Sequence, residues 1–190
     1  MPALPLPPVP VFDRAKFKAL VHYVCYKAPN PKKLGATKLN KILFYADMEA
    51  YLQRGRPISG EVYVKLQHGP APRHVLEVLE ELEAEDAIRI AEASGYGVIM
   101  GQYRQRRFYA MRKPDLSIFD GLEVKLVDEI VDVICEGHTA RSISERSHNV
   151  VWESAEAGEE LPYYTAYAHF LKPVDEETRA WAQARIAGAA

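Results

Sequence analysis

The chain has 190 residues, which at about 150 residues per domain corresponds to one domain with additional segments. Its 48% hydrophobic and 26% charged residues exclude general disorder, and its net charge of -2 excludes a global positive field that would attract nucleic acid. Its two cysteines, Cys25 and Cys135, do not form a Cys-x-x-Cys pair, so a disulfide scaffold and a zinc finger are excluded. With no membrane-length apolar run and no signal peptide, we expect a cytoplasmic protein.

The chain divides into a proline-rich segment, one domain and a short C-terminal tail. Residues 1–12 open with five prolines in ten positions, which favours an extended segment that lies on the surface or is free. A ligand for a proline-binding domain is the less favoured alternative. The domain spans residues 13–172. The tail, 173–190, begins with acids that suit a helix N-terminus and contains Trp181.

Two helices are predicted in the first third of the domain. Asp13 can cap the first helix, which carries apolar residues at helical spacing from Phe17 to Cys25 and ends at Pro29–Pro31. Thr37 can cap the second helix, which we expect over Thr37–Arg54. Because its apolar residues cover most of its circumference, we expect it to be the buried central helix.

A strand and a third helix follow. Val62, Val64 and Leu66 alternate with polar residues, which predicts a half-buried strand. Gly69–Pro72 is expected to end that strand and to begin the third helix near Pro72. The core-facing residues of this helix are predicted to be Val75, Leu76, Leu79 and Leu82.

The remaining elements are a hairpin and further helices. A strand beginning at Ile88 and Ile90 is expected to pair with Arg107–Met111. Asp120 has capping-box spacing for a helix whose expected core residues are Leu126, Val127, Ile130 and Ile134, and Thr139 can cap the next helix. The predicted fold class is α+β, predominantly helical, with a buried central helix and a small antiparallel hairpin. A helix followed by a hairpin is loosely similar to a winged helix.

Three groups of residues, taken in order, resemble the Panacea domain, or SocA-like antitoxin domain, of bacterial and phage proteins. The resemblance runs from about Phe17 to about Tyr167. It rests on Thr37–Asp47 with Gly55–Gly60, on Leu66–Pro72, and on Ser144–His148 with Trp152 and Gly158–Tyr163. The motif positions, for which we expect structural roles, are Lys38, Leu39, Tyr45, Asp47, Gly55, Pro57, His68, Gly69, Pro70, Ser144, Ser147, His148 and Trp152.

The resemblance implies an antitoxin that neutralises a protein toxin encoded nearby. The SocA member of the family presents its toxin to a Clp protease, so such a protease is a further implied partner. The resemblance implies protein binding without catalysis, and it transfers no catalytic residue, metal ligand or cofactor. His68 departs from the family, where a different polar or aromatic residue often precedes the Gly-Pro step.

The residues themselves also argue against an active site. Ser144, Ser147 and His148 with Asp47 suggest a hydrolase triad, but no Gly-x-Ser-x-Gly elbow is present. The six histidines lack metal-ligand spacing. An anion site at Gly69 is disfavoured because the prolines on either side of Ala71 remove two amide donors. We therefore expect no enzyme, no metal and no cofactor, and we expect Asp47 to hold a loop amide.

The predicted partner surface lies on the hairpin. Tyrosine and arginine are favoured at interfaces, which points to Tyr96, Tyr103, Arg104, Arg106 and Arg107. The alternative is a DNA-binding autorepressor, but seven acids between Glu77 and Glu92 would repel phosphates. A second basic cluster is predicted to form a solvated face: Lys32, Lys33, Lys38 and Lys41.

Overall fold

The computed structural model describes the backbone of residues 10–97 and 101–170, and the side chains of these residues except 94–97, 101–104, 150 and 168–170. Within these ranges the chain forms six α-helices, two antiparallel two-stranded sheets and one 3-10 segment. No helix in the described ranges has the length and apolar character needed to span a bilayer. The elements in chain order are α1 (Arg14–Lys27), α2 (Ala36–Arg54), β1 (Tyr63–Leu66), β2 (Gly69–Pro72), α3 (Val75–Ala84), β3 (Ile88–Gly97), β4 (Gly101–Ala110), α4 (Gly121–Gly137), α5 (Ala140–Arg146), α6 (Val150–Ser154) and the 3-10 segment (Tyr163–Phe170).

Helix α2 is the centre of the fold, and the predictions of α+β class and of a buried central helix are confirmed. Leu39, Ile42, Leu43 and Ala46 are fully buried, and the helix contacts α1, α4, α5, β2, β4 and the 3-10 segment. Its N-cap is Gly35, so the predicted cap at Thr37 is wrong. At the other end Gly55 adopts a left-handed φ of 72° and closes the helix, a conformation that favours glycine.

Three predicted helix caps are confirmed. The side chain of Asp13 accepts a hydrogen bond from the amide of Lys16 at 2.9 Å. Asp120 forms a capping box that begins α4, and Thr139 forms one that begins α5. Each cap satisfies amide groups that the first helical turn leaves without partners, which is why short polar side chains are informative at these positions.

Residues Gly69–Pro72 form a strand, which corrects the prediction that they begin a helix. They pair antiparallel with β1, with Tyr63 opposite Pro72 and Leu66 opposite Gly69. Strand β1 is the only strand paired with β2 in the described structure, so the missing amides of two prolines are tolerated. Helix α3 consequently begins later, at Val75.

Two predicted core faces need correction. Leu76 on α3 is 58% exposed, and Val78 takes the expected core position. On α4, Val127 and Ile134 are buried as predicted, but Leu126 and Ile130 are only partly buried. These two side chains pack against the core and also line a groove between α4, α5 and α2, which leaves them partly exposed. The β3–β4 hairpin pairs Ile90 with Phe108, as the sequence predicts, but its strands are ten residues long.

Candidate functional site

The family-motif residues meet around the β1–β2 hairpin, where Asp47 is the central buried acceptor. Asp47 is fully buried on α2 and accepts hydrogen bonds from the Ser59 amide (2.7 Å) and hydroxyl (2.6 Å). The hydroxyl of Tyr63 donates to it at 2.8 Å, and the hydroxyl oxygen of Tyr163 lies 3.3 Å from Asp47 Oδ2. Burial raises the pKa of Asp47, and these hydrogen bonds oppose that rise. The loop amide that the sequence argument assigns to Asp47 is therefore that of Ser59.

A second buried carboxylate, Glu61, lies in the same loop. Its Oε1 accepts from the Val62 amide at 2.6 Å and is 2.8 Å from Nδ1 of His74, whose ring stacks on Phe12. Burial raises the pKa of Glu61, whereas the His74 contact lowers it. His74 thus pairs with a carboxylate, and the sequence argument did not identify Glu61.

Two lysines of the predicted solvated face are buried, which corrects that prediction. Lys41 is 1% exposed, and its Nζ donates to the Pro70 carbonyl at 2.6 Å. Lys38 is 7% exposed and donates to the Cys135 carbonyl at 3.1 Å. Both point inward because α2 is covered on almost all sides. Burial lowers the pKa of Lys41 to about 7, and no opposing carboxylate is among the causes.

The turn between β1 and β2 is held by side chains from α2, α5 and α6. The hydroxyl of Ser144 donates to the His68 carbonyl at 2.9 Å, and the indole of Trp152 donates to the Leu66 carbonyl at 3.3 Å. With Lys41 at Pro70, three carbonyls of one short hairpin are each bound by a different helix. The position of the hairpin therefore depends on side chains from helices that come both before and after it in the sequence.

The Gly158–Tyr163 motif runs along the other edge of β1. The Lys65 amide donates to the Glu159 carbonyl at 2.9 Å, and the Leu161 amide donates to the Tyr63 carbonyl at 2.8 Å. At the end of this segment the Tyr163 hydroxyl donates to the Glu61 carbonyl at 2.7 Å. This pairing protects the edge of β1 and brings the last motif onto α2.

The serine side chains of the motif make internal hydrogen bonds, and the His148 ring makes a stacking contact. Ser144 and Ser147 donate to main-chain carbonyls, and Asp47 is occupied by Ser59, Tyr63 and Tyr163. The His148 ring stacks on Trp152 with centroids 3.7 Å apart, and burial lowers its pKa. In the described part of the chain no group of three or more His, Cys, Asp or Glu side chains could hold a metal ion.

The other motif positions support the same frame. Leu39 lies in the core, and Gly55 closes α2 just before the loop of Pro57 and Ser59. The Ser59 carbonyl accepts a hydrogen bond from the Asp13 amide at 2.8 Å, and this bond joins the loop to the start of α1. Tyr45 lies on the opposite side of α2 from Asp47, packed between the core and the groove beside α4.

The predicted interface residues lie on β3 and β4, and Arg106 lines a pocket together with Leu66 and Pro72 of the β1–β2 hairpin. Arg106 is exposed, and Arg107 is half-buried with its Nε shielded and without a hydrogen-bond partner among the described residues. Arg106 stands opposite Glu92 and Arg107 opposite Ala91 in the hairpin register. The side chains of Tyr96, Tyr103 and Arg104 lie outside the described residues.

Gly69 gives a direct test of the packing at the hairpin turn. Its φ is +93°, and a Cβ atom there would lie 2.3 Å from Ser147 Oγ and 2.7 Å from Lys41 Nζ. We expect Gly69→Ala to lower the free energy of unfolding by about 2–4 kcal/mol through strain and overpacking, as measured by urea unfolding. Gly158→Ala is the matched control, since its φ is +83° with open space around it, and should lose only about 1–2 kcal/mol. Equal losses would contradict the packing argument.

The described residues therefore form a helix-rich α+β domain in which motif residues hold a β-hairpin against a central helix. The family model for the SocA-like antitoxin Panacea domain matches residues 39–153, more than half of the chain. The chain therefore belongs to the SocA-like antitoxin, Panacea domain family, as the resemblance implies. No curated protein and no solved structure matches it.

Proposed function

We propose that this protein neutralises a cognate protein toxin by binding it directly, without catalysing a reaction. The match to the antitoxin family over residues 39–153 carries the proposal. Further support comes from the motif cluster, where the serines and Asp47 are engaged in internal hydrogen bonds. Delivery of the bound toxin to a Clp-type protease would be a second step of the same function.

The proposed contact surface is the β3–β4 hairpin. Arg106 is exposed there, and arginine and tyrosine contribute disproportionately to interface energy. Residues on strands are positioned more precisely than residues on loops, and Arg106 lies on β4. We place this interaction in the cytoplasm, because Cys25 and Cys135 are both free thiols, as a reducing compartment favours.

Coexpression with the reading frame beside the gene tests the function. We expect restored growth and co-purification of the two proteins. Growth that stays arrested although both proteins are made would overturn the proposal. Rescue that persists in cells lacking Clp proteases would show that occlusion is sufficient, whereas rescue lost in those cells would show that degradation is required.

A charge-reversal variant of the hairpin tests the proposed contact surface independently of the proposed antitoxin function. We expect the simultaneous replacement of Arg104, Arg106 and Arg107 by Glu to abolish co-purification with the toxin. The matched control reverses Lys125 and Arg141, which are exposed on α4 and α5 and each pair with a glutamate one turn along the same helix. Unchanged capture by the hairpin variant would show that the toxin binds elsewhere, with the antitoxin function intact.

The second candidate is a DNA-binding autorepressor, favoured only by the arginines of β4. Helix α3, the candidate recognition helix, is acidic, and its Glu77 and Glu81 pair with Arg14 of α1. Gel shifts with the DNA upstream of the gene, measured over a range of salt concentrations, test this alternative. A phosphate-binding protein loses affinity steeply as salt rises, whereas we expect no salt-dependent shift.

A further inference from the structure

An apolar pocket lies between the β1–β2 hairpin, the start of α3 and strand β4. It has a volume of about 340 Å³. Core side chains close its floor, since Leu39, Leu79 and Phe108 are at most 3% exposed. The volume is near the lower end of the range of about 300–1,000 Å³ for ligand pockets, which suits one or two side chains of a partner.

Two exposed leucines line this pocket. Leu66 at the end of β1 is 49% exposed, and Leu76 on α3 is 58% exposed. They come together because β2 returns the chain from Leu66 to the start of α3. Large apolar side chains that are exposed at the same concave surface are typical of a protein–protein contact. A partner that covers both leucines would remove apolar surface from water, which favours binding.

The charged side chains in the described lining of the pocket are all positive. They are Arg73, which pairs with Glu160 at 2.9 Å, and Arg106, which is exposed on β4. Asn40 of α2 is the third polar residue of this lining. Guanidinium groups beside an apolar floor favour an occupant that carries a carboxylate, because arginine matches the planar geometry of that group.

Two neighbouring acids restrict the number of carboxylates that the occupant can carry. Glu80 is exposed one turn after Leu76 on α3, and Glu92 stands opposite Arg106 in the β3–β4 register. Neither of them belongs to the described lining of the pocket. Because like charges repel, a uniformly acidic segment would be disfavoured. An apolar side chain with a single carboxylate beside it fits this surface better.

We infer that this pocket takes an apolar side chain of the toxin, with a carboxylate of the same toxin segment bound at Arg106. The apolar side chain packs between Leu66 and Leu76. The inference rests on the proposed function and adds the chemistry of the partner, which is an apolar residue next to an aspartate or a glutamate. It also brings the motif segment Leu66–Pro72 into the contact surface, beside β4.

Thiol labelling in the purified toxin–antitoxin complex tests whether the pocket is covered. The probe is the protein made from the reading frame beside the gene. Leu76→Cys places a thiol at the pocket, and the native Cys25 and Cys135 are both buried, so a maleimide reports on the introduced thiol. We expect labelling to be severalfold slower in the complex than in the free protein.

Val133→Cys is the matched control for this labelling. Val133 is 60% exposed on α4 and lines the separate groove between α2, α4 and α5. We expect its thiol to be labelled at the same rate with and without the toxin. Labelling of Leu76→Cys at the free rate in an intact complex would overturn the inference and leave the antitoxin function standing. Failure of the wild type to form a complex would overturn the proposed function, and the inference with it.

Competition between two antitoxins tests the carboxylate. Wild type and Arg106→Gln are coexpressed in equal amounts with the tagged toxin, and mass spectrometry gives their ratio in the toxin-bound fraction. We expect the wild type to exceed the variant by about five- to thirtyfold, as for an arginine that contributes strongly to an interface. Arg106→Lys, which keeps the charge, should compete better than Arg106→Gln.

Arg112→Gln is the control for the competition. Arg112 is exposed and lies 3.9 Å from Glu85, and it does not belong to the described lining of the pocket. We expect a ratio near one for this variant. Because Arg106 and Leu76 are also exposed, their variants should keep the fold, which an unchanged urea midpoint confirms. A ratio near one for Arg106→Gln would show that no carboxylate binds there and would overturn the inference.

Discussion

Replacing Asp47 by alanine is expected to lower the free energy of unfolding by about 3–5 kcal/mol, because buried donors lose their shared acceptor. The Ser59 amide, the Ser59 hydroxyl and the Tyr63 hydroxyl all lie within 2.8 Å of its oxygens. The measurement is urea unfolding, with a lower midpoint at an unchanged slope.

Two single-donor variants are the controls for Asp47. Ser59→Ala and Tyr163→Phe each remove one hydroxyl and leave the carboxylate with other donors. We expect each to lose only about 0.5–1.5 kcal/mol. An Asp47→Ala loss as small as these would show that the carboxylate does not organise the loop.

Replacing Lys41 by methionine is expected to stabilise the protein at pH 7, by about 1–4 kcal/mol, because an ammonium group no longer has to be buried. Nζ of Lys41 donates to the Pro70 carbonyl at 2.6 Å, and burial lowers its pKa from 10.5 to about 7. Methionine keeps most of the side-chain volume. The variant loses this hydrogen bond, which limits the gain in the free energy of unfolding.

The effect of Lys41 depends on pH with a definite sign. Below about pH 7 the lysine is charged in both states, so the whole cost of burial is present. Between about 7 and 10.5 the folded state binds fewer protons than the unfolded state, so the wild type gains stability as pH rises. At about 1.4 kcal/mol per pKa unit, the gain relative to Lys41→Met reaches up to ~5 kcal/mol by pH 10.5.

Unfolding of both proteins at a series of pH values measures this difference and cancels the other titrating groups. Lys38→Met is the matched control. Burial also lowers the pKa of Lys38, but its side chain is more exposed than that of Lys41. We therefore expect a smaller pH-dependent difference. A difference between wild type and Lys41→Met that is flat from pH 7 to 10 would contradict a buried, unpaired lysine.

Local patterns predicted the helical frame because the responsible interactions are short in sequence. Asp13, Asp120 and Thr139 each bind an amide two or three residues ahead, which fixes where a helix begins. The apolar circumference of α2 predicted its burial for a similar reason. Local patterns gave the wrong prediction at Gly69–Pro72. The prolines suggested the start of a helix, but these residues form a strand because they pair with β1.

The candidate site was predicted only as a set of motif positions. Asp47, His68, Ser144 and Trp152 belong to the family motifs, yet nothing in their spacing shows which carbonyl or amide each one binds. Glu61 was missed, and Lys41 was placed on a solvated face, because a charged side chain is ordinarily exposed and no local pattern marks these two as exceptions. Their burial follows from elements more than twenty residues away that close over them.

The amino-acid sequence by itself determined where α1, α4 and α5 begin, the α+β class and the membership of the antitoxin family, since these depend on neighbouring residues and on motif order. Only the tertiary structure decided that Gly69–Pro72 is a strand, that Lys38 and Lys41 are buried, and that Leu126 and Ile130 line a groove between α2, α4 and α5. Those outcomes depend on which surfaces meet when distant segments pack, and no local pattern contains that information.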